Sequence, residues 1–484
     1  MSVIEDGAQD HTGPGDQVSD EADQERAVRE KAARAKAARD RHERARVRTP
    51  SLVEEPARVG SQVFGGPVGR FATIGRRGWP FVAALLSAAA SVMVALSVLQ
   101  KSHCVKVGWG SPGSLWRACY SDIPIGVGGS GGPWAAGGPG QSQPVLTAVL
   151  TWFAQKVVPG GGSLEEQQML FAVGAVIVVL CIALTVTATA ATLRDTPWLA
   201  AHVALSPVLI TASMVSFDVF GVALAALGLW AWSRHHPLLA GTLLGAAVMA
   251  RTYPLVFIAV LVMLCLRDGR RHDLARLLAG ALGVIAICIG LAVAVGGEPF
   301  APYAAWNNAG PGYGSVWLLL QTAGIAIPAH PLTVIAVAGW VIALLIGVVA
   351  LRVRPDAAFA PLALMLLVIV LPSGKAMSVQ TCLWILPLLA LSAVRWRDHL
   401  IWAGVEIVYF IMVWMYIAAP SNAAKGLPAA AYAVFSLARS LAYVGIAWAA
   451  WDSSAAARTA IGGDPVHRPV PVRPAAVVAL AVGD

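Results

Sequence analysis

Charged side chains are scarce in this sequence. Asp, Glu, Lys and Arg make up 13% of the 484 residues, whereas a soluble globular domain carries roughly 25%. Hydrophobic residues make up 57%, and the mean hydropathy is +0.67. Most of the surface of the folded chain must therefore face something other than water, and a lipid bilayer is the environment that fits this composition.

The hydrophobic residues do not alternate with polar ones but form long continuous runs. A transmembrane β-barrel would show alternation, whereas a helix that crosses a ~30 Å hydrocarbon core needs about 20 apolar residues in sequence. Four runs approach that length: Trp79–Leu99, Met169–Thr192, Leu277–Val295 and Pro331–Leu351. We predict an all-α polytopic membrane protein whose transmembrane domain spans residues 79–451.

A basic folded face with interleaved aromatic residues is also missing, which excludes a nucleic-acid partner. The net charge is +8, and short basic clusters lie between the apolar runs, as the positive-inside rule predicts. Residues 1–78 are expected to form a disordered cytoplasmic arm, either a docking segment or a tail that holds topology. Residues 452–484 are expected to be a flexible cytoplasmic tail. The first apolar run lacks the features of a signal peptide and is expected to be an uncleaved anchor.

The basic clusters predict the topology. We place them in the cytoplasm: Arg76–Arg77, Arg234–His236, Arg267–Arg271, Arg352–Arg354 and Arg395–Arg397. The segments between them must then cross an even number of times. Leu238–Leu266 is too short for two full spans, and Pro254 disfavours helix at its centre, so it should form a hairpin of two short helices. For the same reason we expect hairpins at Trp198–Trp232 and Phe359–Val394. A separate apolar segment, Val316–Ile327, is too short to span and should be re-entrant. About 12 transmembrane helices result, with both termini cytoplasmic in the plasma membrane.

This topology collects polar residues on the outer side of the membrane. Ionisable groups at membrane depth are costly unless they are paired or line a wet cavity, so an outward-facing polar cavity is expected. Each residue also has a structural interpretation, such as a turn, a helix cap, a lipid-phosphate contact or a loop position. The outer residues are Asp122, Asp218, Arg251, Tyr253, Trp306, Asn307, Asn308, Tyr313, Lys375, Ser378 and Gln380.

Two of the six cysteines share the first long loop. If that loop is extracytoplasmic, Cys104 and Cys119 are able to form a disulfide, because disulfides persist in oxidising compartments. The other four cysteines lie in apolar segments and are expected to be small core residues. The sequence contains no Asp-x-Asp pair of the kind that would hold a metal ion.

Several short motifs, in the same order along the chain, resemble those of actinobacterial membrane glycosyltransferases of the GT-C class, near glycosyltransferase family 87. The resemblance covers roughly residues 79–450 and is carried by Cys119–Pro124, Ser216–Asp218, Arg251–Pro254, Tyr313–Trp317 and Gly374–Trp384. It implies a GT-C-like fold, a polyprenyl-phosphate sugar donor that mostly carries mannose, and a lipid or glycan acceptor among the membrane lipids. It implies no cofactor, and no metal is predicted.

The resemblance assigns roles to the outer residues. Inverting transfer needs a carboxylate base and cations against the departing phosphate. Asp122 is expected to be the base, and Arg251 with Lys375 to bind the donor phosphate. Asp218, Tyr253 and Gln380 would shape the cavity or orient its charges. The aromatic residues expected to stack on sugar rings are Trp306, Tyr313 and Trp317.

Two other functions remain open from the sequence. A secondary transporter or lipid flippase would also use broken helices, although the internal repeats of such carriers are not evident here. A non-catalytic family member that binds a lipid-linked sugar is the second alternative. Gly126–Gly140 favours it, because relatives have aromatic and acidic residues in that part of the loop.

Overall fold

The computed structural model describes residues 78–125, 131–135, 137–158, 160 and 162–461, and this part contains 18 α-helices and no β-strand. Almost all of the predicted N-terminal arm, and the tail after Ile461, lie outside the described residues. The first part of the chain contains two long helices separated by a loop with three shorter ones. These are α1 (Gly78–Gln100), α2 (Ser102–Val107), α3 (Gly113–Trp116), α4 (Val145–Lys156) and α5 (Leu164–Thr192).

The middle of the chain is built from short helices. Pro207 lies between the first two of them. Proline has no N–H to donate and its ring clashes with the preceding turn of a helix, so the first half of the predicted 198–232 hairpin forms short helices rather than one long helix. Pro254 occupies the first turn of another, where its missing N–H costs nothing. The helices are α6 (Ala201–Ala204), α7 (Val208–Ala212), α8 (Asp218–Ser233), α9 (Pro237–Ala250), α10 (Pro254–Arg267) and α11 (Arg271–Ala294).

The last part of the chain continues this mixture of long and short helices. The final helix runs past position 452, where the sequence predicted a loose tail to begin. The helices are α12 (Ala301–Asn308), α13 (Val316–Thr322), α14 (Ala329–Val353), α15 (Phe359–Ser373), α16 (Cys382–Leu391), α17 (Trp396–Ala418) and α18 (Ala429–Ile461).

Long helices surround short ones. Among the described residues, six helices are long and apolar enough to cross a membrane: α1, α5, α11, α14, α17 and α18. Their most apolar windows are only 22–44% buried, so they leave a broad apolar surface for lipid. In contrast, α15 buries ten of its 15 residues. This arrangement confirms the prediction of an all-α polytopic membrane protein with short broken hairpins.

Close helix contacts in the centre depend on glycine. Gly241 and Gly245 of α9 lie directly against the backbone of α11 at Leu277 and Ala281, where a Cβ would collide with carbonyl oxygens. Small residues allow helices to approach in this way when lipid supplies no hydrophobic force between them. The approach fixes the end of α9, and Arg251 follows that end.

Three of the basic clusters, at residues 234–236, 267–271 and 352–354, meet at one end of the bundle, which we call the basic end. Arg234 Nη2 donates to the carbonyl of Ala191 (2.9 Å), and Arg270 lies over the ring of Trp232 (5.0 Å). Arg267 Nη1 bonds the carbonyls of Pro355 and Ala357, and Arg354 Nη1 bonds that of Trp451. Because the long helices run from this end to the other, the loops that carry Asp122, Arg251 and Lys375 gather at the opposite end, which we call the site end.

Candidate active site

Three helix breaks meet at the site end around Asp218, the first residue of α8. Its Oδ1 accepts hydrogen bonds from Ser216 Oγ (2.7 Å) and from Arg251 Nε (2.8 Å) and Nη2 (2.6 Å). Its Oδ2 accepts one from Trp384 Nε1 (2.8 Å). The carboxylate is only 1% exposed, yet it is fully paired, as a charge at membrane depth must be.

Arg251 is less enclosed than its partner. Its side chain is 18% exposed, against 2% for that of Asp218. Two of its three guanidinium nitrogens bond Asp218, and no described residue accepts a hydrogen bond from the third, Nη1. The guanidinium is therefore held in a fixed orientation with one nitrogen left for a ligand. The N–H groups of that nitrogen can donate to a phosphate oxygen.

Asp122 in the first loop lies next to this ion pair. Its backbone N–H donates to the carbonyl of Val215 (2.7 Å), and Ser121 Oγ donates to that of Met214 (2.6 Å). Both acceptors immediately precede Ser216. The Cys104–Cys119 disulfide closes the loop on its other side, with the two Cα atoms 5.9 Å apart. The first loop is thus held on both sides of the motif that contains Asp122.

The Asp122 carboxyl is half-buried, and this changes its acidity. Burial raises its pKa above the usual range, and the nearby Asp218 carboxylate acts in the same direction. The Tyr120 hydroxyl, which donates to Oδ1 (2.7 Å), and the Arg251 guanidinium lower the pKa and oppose that rise. Desolvation is the larger effect, so the carboxylate is a better proton acceptor than an exposed aspartate.

Lys375 is engaged by the backbone at the end of α12. Its ammonium donates to three backbone carbonyls, those of Trp306 (3.0 Å), Asn307 (2.7 Å) and Ala309 (2.9 Å), and the residue is 1% exposed. An ammonium has three donors, and all three are used. Lys375 thus neutralises the C-terminal end of α12 and fixes that helix in place, and its binding of the donor phosphate stays a prediction.

The three aromatic residues predicted to stack on sugars are not brought together. Trp306 covers the Lys375 ammonium (4.9 Å), and Trp317 Nε1 bonds the carbonyl of Ser373 (3.2 Å). Tyr313 packs edge-on against Tyr416 (6.2 Å) and lines a cavity of about 410 Å³ beside the end of α17. Trp317 acts as a support between α13 and α15, whereas Trp306 and Tyr313 keep exposed rings.

The orienting residues lie closer to the centre. Tyr253 stacks on Trp384 (4.4 Å, 9° between the rings), is 3% exposed, and no described residue bonds its hydroxyl. Gln380 Nε2 donates to Ser216 Oγ (3.3 Å) and so acts through Ser216 on Asp218. Tyr253 and Gln380 are thus within one or two contacts of the ion pair.

Sequence reasoning gave no role to several residues of the site. Trp384 and Ser216 complete the hydrogen bonds of Asp218, and Tyr120 completes those of Asp122. Tyr303 of α12 also belongs here, because burial raises its pKa while the Arg251 guanidinium opposes the rise, so the two groups are near each other. A signal was present, since Tyr303 lies one helical turn before Trp306, on the same face.

A metal site is not apparent in the part of the chain that the structure describes. No group of three or more His, Cys, Asp or Glu residues there is arranged to hold an ion. The charges that meet around Asp218 include its own carboxylate, that of Asp122 and the guanidinium of Arg251. An acid and a cation beside an apolar membrane surface are suited to group transfer from an amphipathic anionic donor.

The fold and the site define a polytopic membrane protein with a polar centre at one end of its helical bundle. Residues 145–381, slightly less than half of the chain, match the model of glycosyltransferase family 87. The description of that family is of glycosyltransferases. The matched segment contains Asp218, Arg251 and Lys375, whereas Asp122 precedes it. Neither a curated protein nor a solved structure matches the chain.

Proposed function

We propose that the protein transfers a sugar, with mannose the first candidate, from a polyprenyl-phosphate donor to a lipid or cell-envelope glycan acceptor. The transfer takes place on the extracytoplasmic face of the plasma membrane, with both termini in the cytoplasm, and uses no cofactor. The observation that carries the proposal is the Asp218–Arg251 pair, in which no described residue bonds one guanidinium nitrogen, and which is near enough to the partly buried Asp122 carboxyl to act on its pKa.

Arg251 binds the phosphate of the donor in this proposal. The lipid chain of the donor stays in the bilayer, so its phosphate is presented at the membrane boundary where α9 ends. Arg251 Nη1 is free to donate to a phosphate oxygen, and the unpartnered hydroxyl of Tyr253 is a second donor from the adjacent turn. Both would stabilise the negative charge that develops on the leaving phosphate.

Asp122 is the general base. Its Oδ1 accepts from Tyr120, and Oδ2 remains available to an acceptor hydroxyl. The proton of that hydroxyl passes to the carboxylate as the oxygen bonds to the anomeric carbon, while the bond from that carbon to the phosphate oxygen breaks. Attack opposite the leaving group inverts the anomeric centre through an oxocarbenium-like transition state.

The orientation of the bundle is supported by charge. Arginine clusters prefer the cytoplasmic side, and they lie at the basic end, away from Asp122 and Arg251. The Cys104–Cys119 disulfide at the site end agrees with an oxidising, extracytoplasmic environment. A cysteine introduced beside Asp122 should react with an impermeant thiol reagent added from outside the cell.

An Asp122→Asn variant tests the function. Purified protein is given radiolabelled polyprenyl-phosphate-mannose and membrane lipids, and glycolipid product is measured. The variant keeps the shape of the side chain but cannot take the proton, so transfer should fall by about 10²–10⁴-fold. Asp195→Asn, at an exposed aspartate near the basic end, is the matched control and should transfer at the native rate.

The same assay separates the alternatives. Donor binding without any product in the native protein would favour the non-catalytic reading, and counterflow of donor across vesicles without product would favour a carrier. A native rate in the Asp122→Asn variant would remove Asp122 from the mechanism. Replacing the mannose donor by the glucose-bearing one tests the identity of the sugar.

A further inference from the structure

A second ion pair is buried in the C-terminal hairpin, after the segment that matches the family. Glu406 of α17 and Arg439 of α18 are joined by a hydrogen bond of 2.7 Å, and their side chains are 3% and 0% exposed. Arg439 also donates through Nη1 to the carbonyl of Met377 and through Nη2 to that of Ser378 (2.8 Å). All three guanidinium nitrogens are therefore engaged, and two of them hold a loop of the site end.

That loop, residues 374–381, is hydrogen-bonded to the loop between α12 and α13, residues 309–315. We call these two loops the loop pair. Gly312 N donates to the carbonyl of Lys375 (2.7 Å), and Met377 N donates to that of Tyr313 (3.0 Å). Gly314 N donates to the hydroxyl of Tyr432 (2.8 Å), a residue of α18 whose ring stacks on Tyr416 of α17. The hairpin of α17 and α18 thus holds both loops at once.

Gly314 shows how close this approach is. Its φ is +81°, and a Cβ at this position would collide with the carbonyl oxygen of Met377. Glycine alone adopts this conformation readily and leaves that space free. The loop pair therefore packs closely against the guanidinium of Arg439, and a side chain at position 314 would not fit.

Two branches lead from the anchored loop to the donor site. Lys375 precedes the anchored carbonyls and holds the end of α12. Gln380 follows them and donates to Ser216, which donates to Asp218. A shift of the anchored carbonyls would move both the end of α12 and the orientation of Asp218, the partner of Arg251.

We propose that Glu406 and Arg439 are positioning residues for sugar transfer, which hold the loop pair in place and so, through Gln380 and Ser216, set the orientation of the Asp218–Arg251 pair. This rests on the proposed function. Stability alone does not account for the pair, because replacing a buried ion pair by apolar residues of similar volume is often neutral or stabilising. What an apolar pair cannot do is hold two carbonyl oxygens at fixed positions.

The test is the double variant Glu406→Met/Arg439→Met, which removes both charges and keeps the volume. Its thermal midpoint should equal or exceed that of the native protein. Its kcat should fall about 100-fold, the cost of a displacement of about 1 Å in a catalytic geometry. The KM for polyprenyl-phosphate-mannose should change little, because Arg251 and Tyr253 remain. Hydrogen exchange at the amides of Gly312, Gly314 and Met377 should become faster.

Two further variants keep the test decisive. Tyr432→Phe removes only the hydroxyl bonded by Gly314 and keeps the stacked ring, so the protein should fold, with faster exchange at Gly314 and a smaller loss of kcat. Arg354→Met is the matched control, since Arg354 holds the carbonyl of Trp451 at the other end of α18. It should leave kcat and the exchange of the loop pair unchanged.

A folded double variant with native kcat and native exchange in the loop pair would overturn the proposal. If the double variant fails to fold, Tyr432→Phe decides: native exchange at Gly314 and native kcat overturn it, and a loss of both supports it. If the native protein transfers no sugar, the proposed function fails, while the exchange measurements still decide whether the pair holds the loops.

Discussion

Two acid–arginine pairs lie within the helical bundle, and they have opposite surroundings. Arg251 is 18% exposed and has a spare nitrogen, whereas Arg439 is 0% exposed and uses all three. The partner of Arg251 follows a helix break, while the partner of Arg439 lies within a long helix. The same chemical pair is therefore open in one place, where we propose that it binds an anion, and closed in the other, where it anchors a loop.

The largest expected effect is on the open pair. Arg251→Gln should lower kcat/KM for polyprenyl-phosphate-mannose by about 10²–10³-fold, as loss of one charge-stabilising donor does in other enzymes. Asp218 keeps its bonds from Ser216 and Trp384, so the protein should remain folded. Steady-state transfer assays and a thermal melt measure both quantities. A native kcat/KM in this variant would mean that the open pair is not the phosphate site.

In the closed pair, Glu406–Arg439, loss of the arginine should mainly lower the stability of the protein. Arg439→Gln leaves Glu406 as an uncompensated buried charge, which costs about 3–5 kcal/mol of unfolding free energy. Denaturation of the protein in detergent, compared with Arg251→Gln under the same conditions, measures the difference. Equal destabilisation by the two single variants would show that the bonds from Ser216 and Trp384 do not compensate the charge that Asp218 keeps.

A change of pH should act on the open site through Asp122. The base must be ionised, and burial raises its pKa, so transfer is lost as pH falls through a value above that of an ordinary aspartate. The Tyr120 hydroxyl opposes the rise in pKa, so Tyr120→Phe should move the acid limb of the pH–kcat profile to higher pH. An acid limb that stays in place or moves to lower pH would contradict this assignment of the base.

The smallest effect is expected at a third ion pair, on the surface. Arg397 bonds Asp398 (3.1 Å) and is 73% exposed. Exposed pairs contribute about 0–1 kcal/mol, so Arg397→Gln should change neither the melting profile nor transfer appreciably. A loss like that of Arg439→Gln would show that burial is not what separates these pairs.

Much of the architecture could be predicted from the order of residues. The apolar runs gave the long helices, and Pro254 marked the break beside Arg251, because lipid requires continuous apolar helix and proline interrupts it. The motifs around Ser216–Asp218 and Arg251–Pro254 led to family 87, which the family match confirms for residues 145–381. Local chemistry determines these features, so the sequence alone reveals them.

Only the tertiary structure decided what each charge does. Lys375 was a free cation in the sequence, but the end of α12 meets it and takes all three of its donors. Glu406 and Arg439 are 33 residues apart on two apolar helices, and no spacing rule joins them to Met377. The role of a buried polar group depends on which loops reach it, and that is fixed by the packing of the whole bundle.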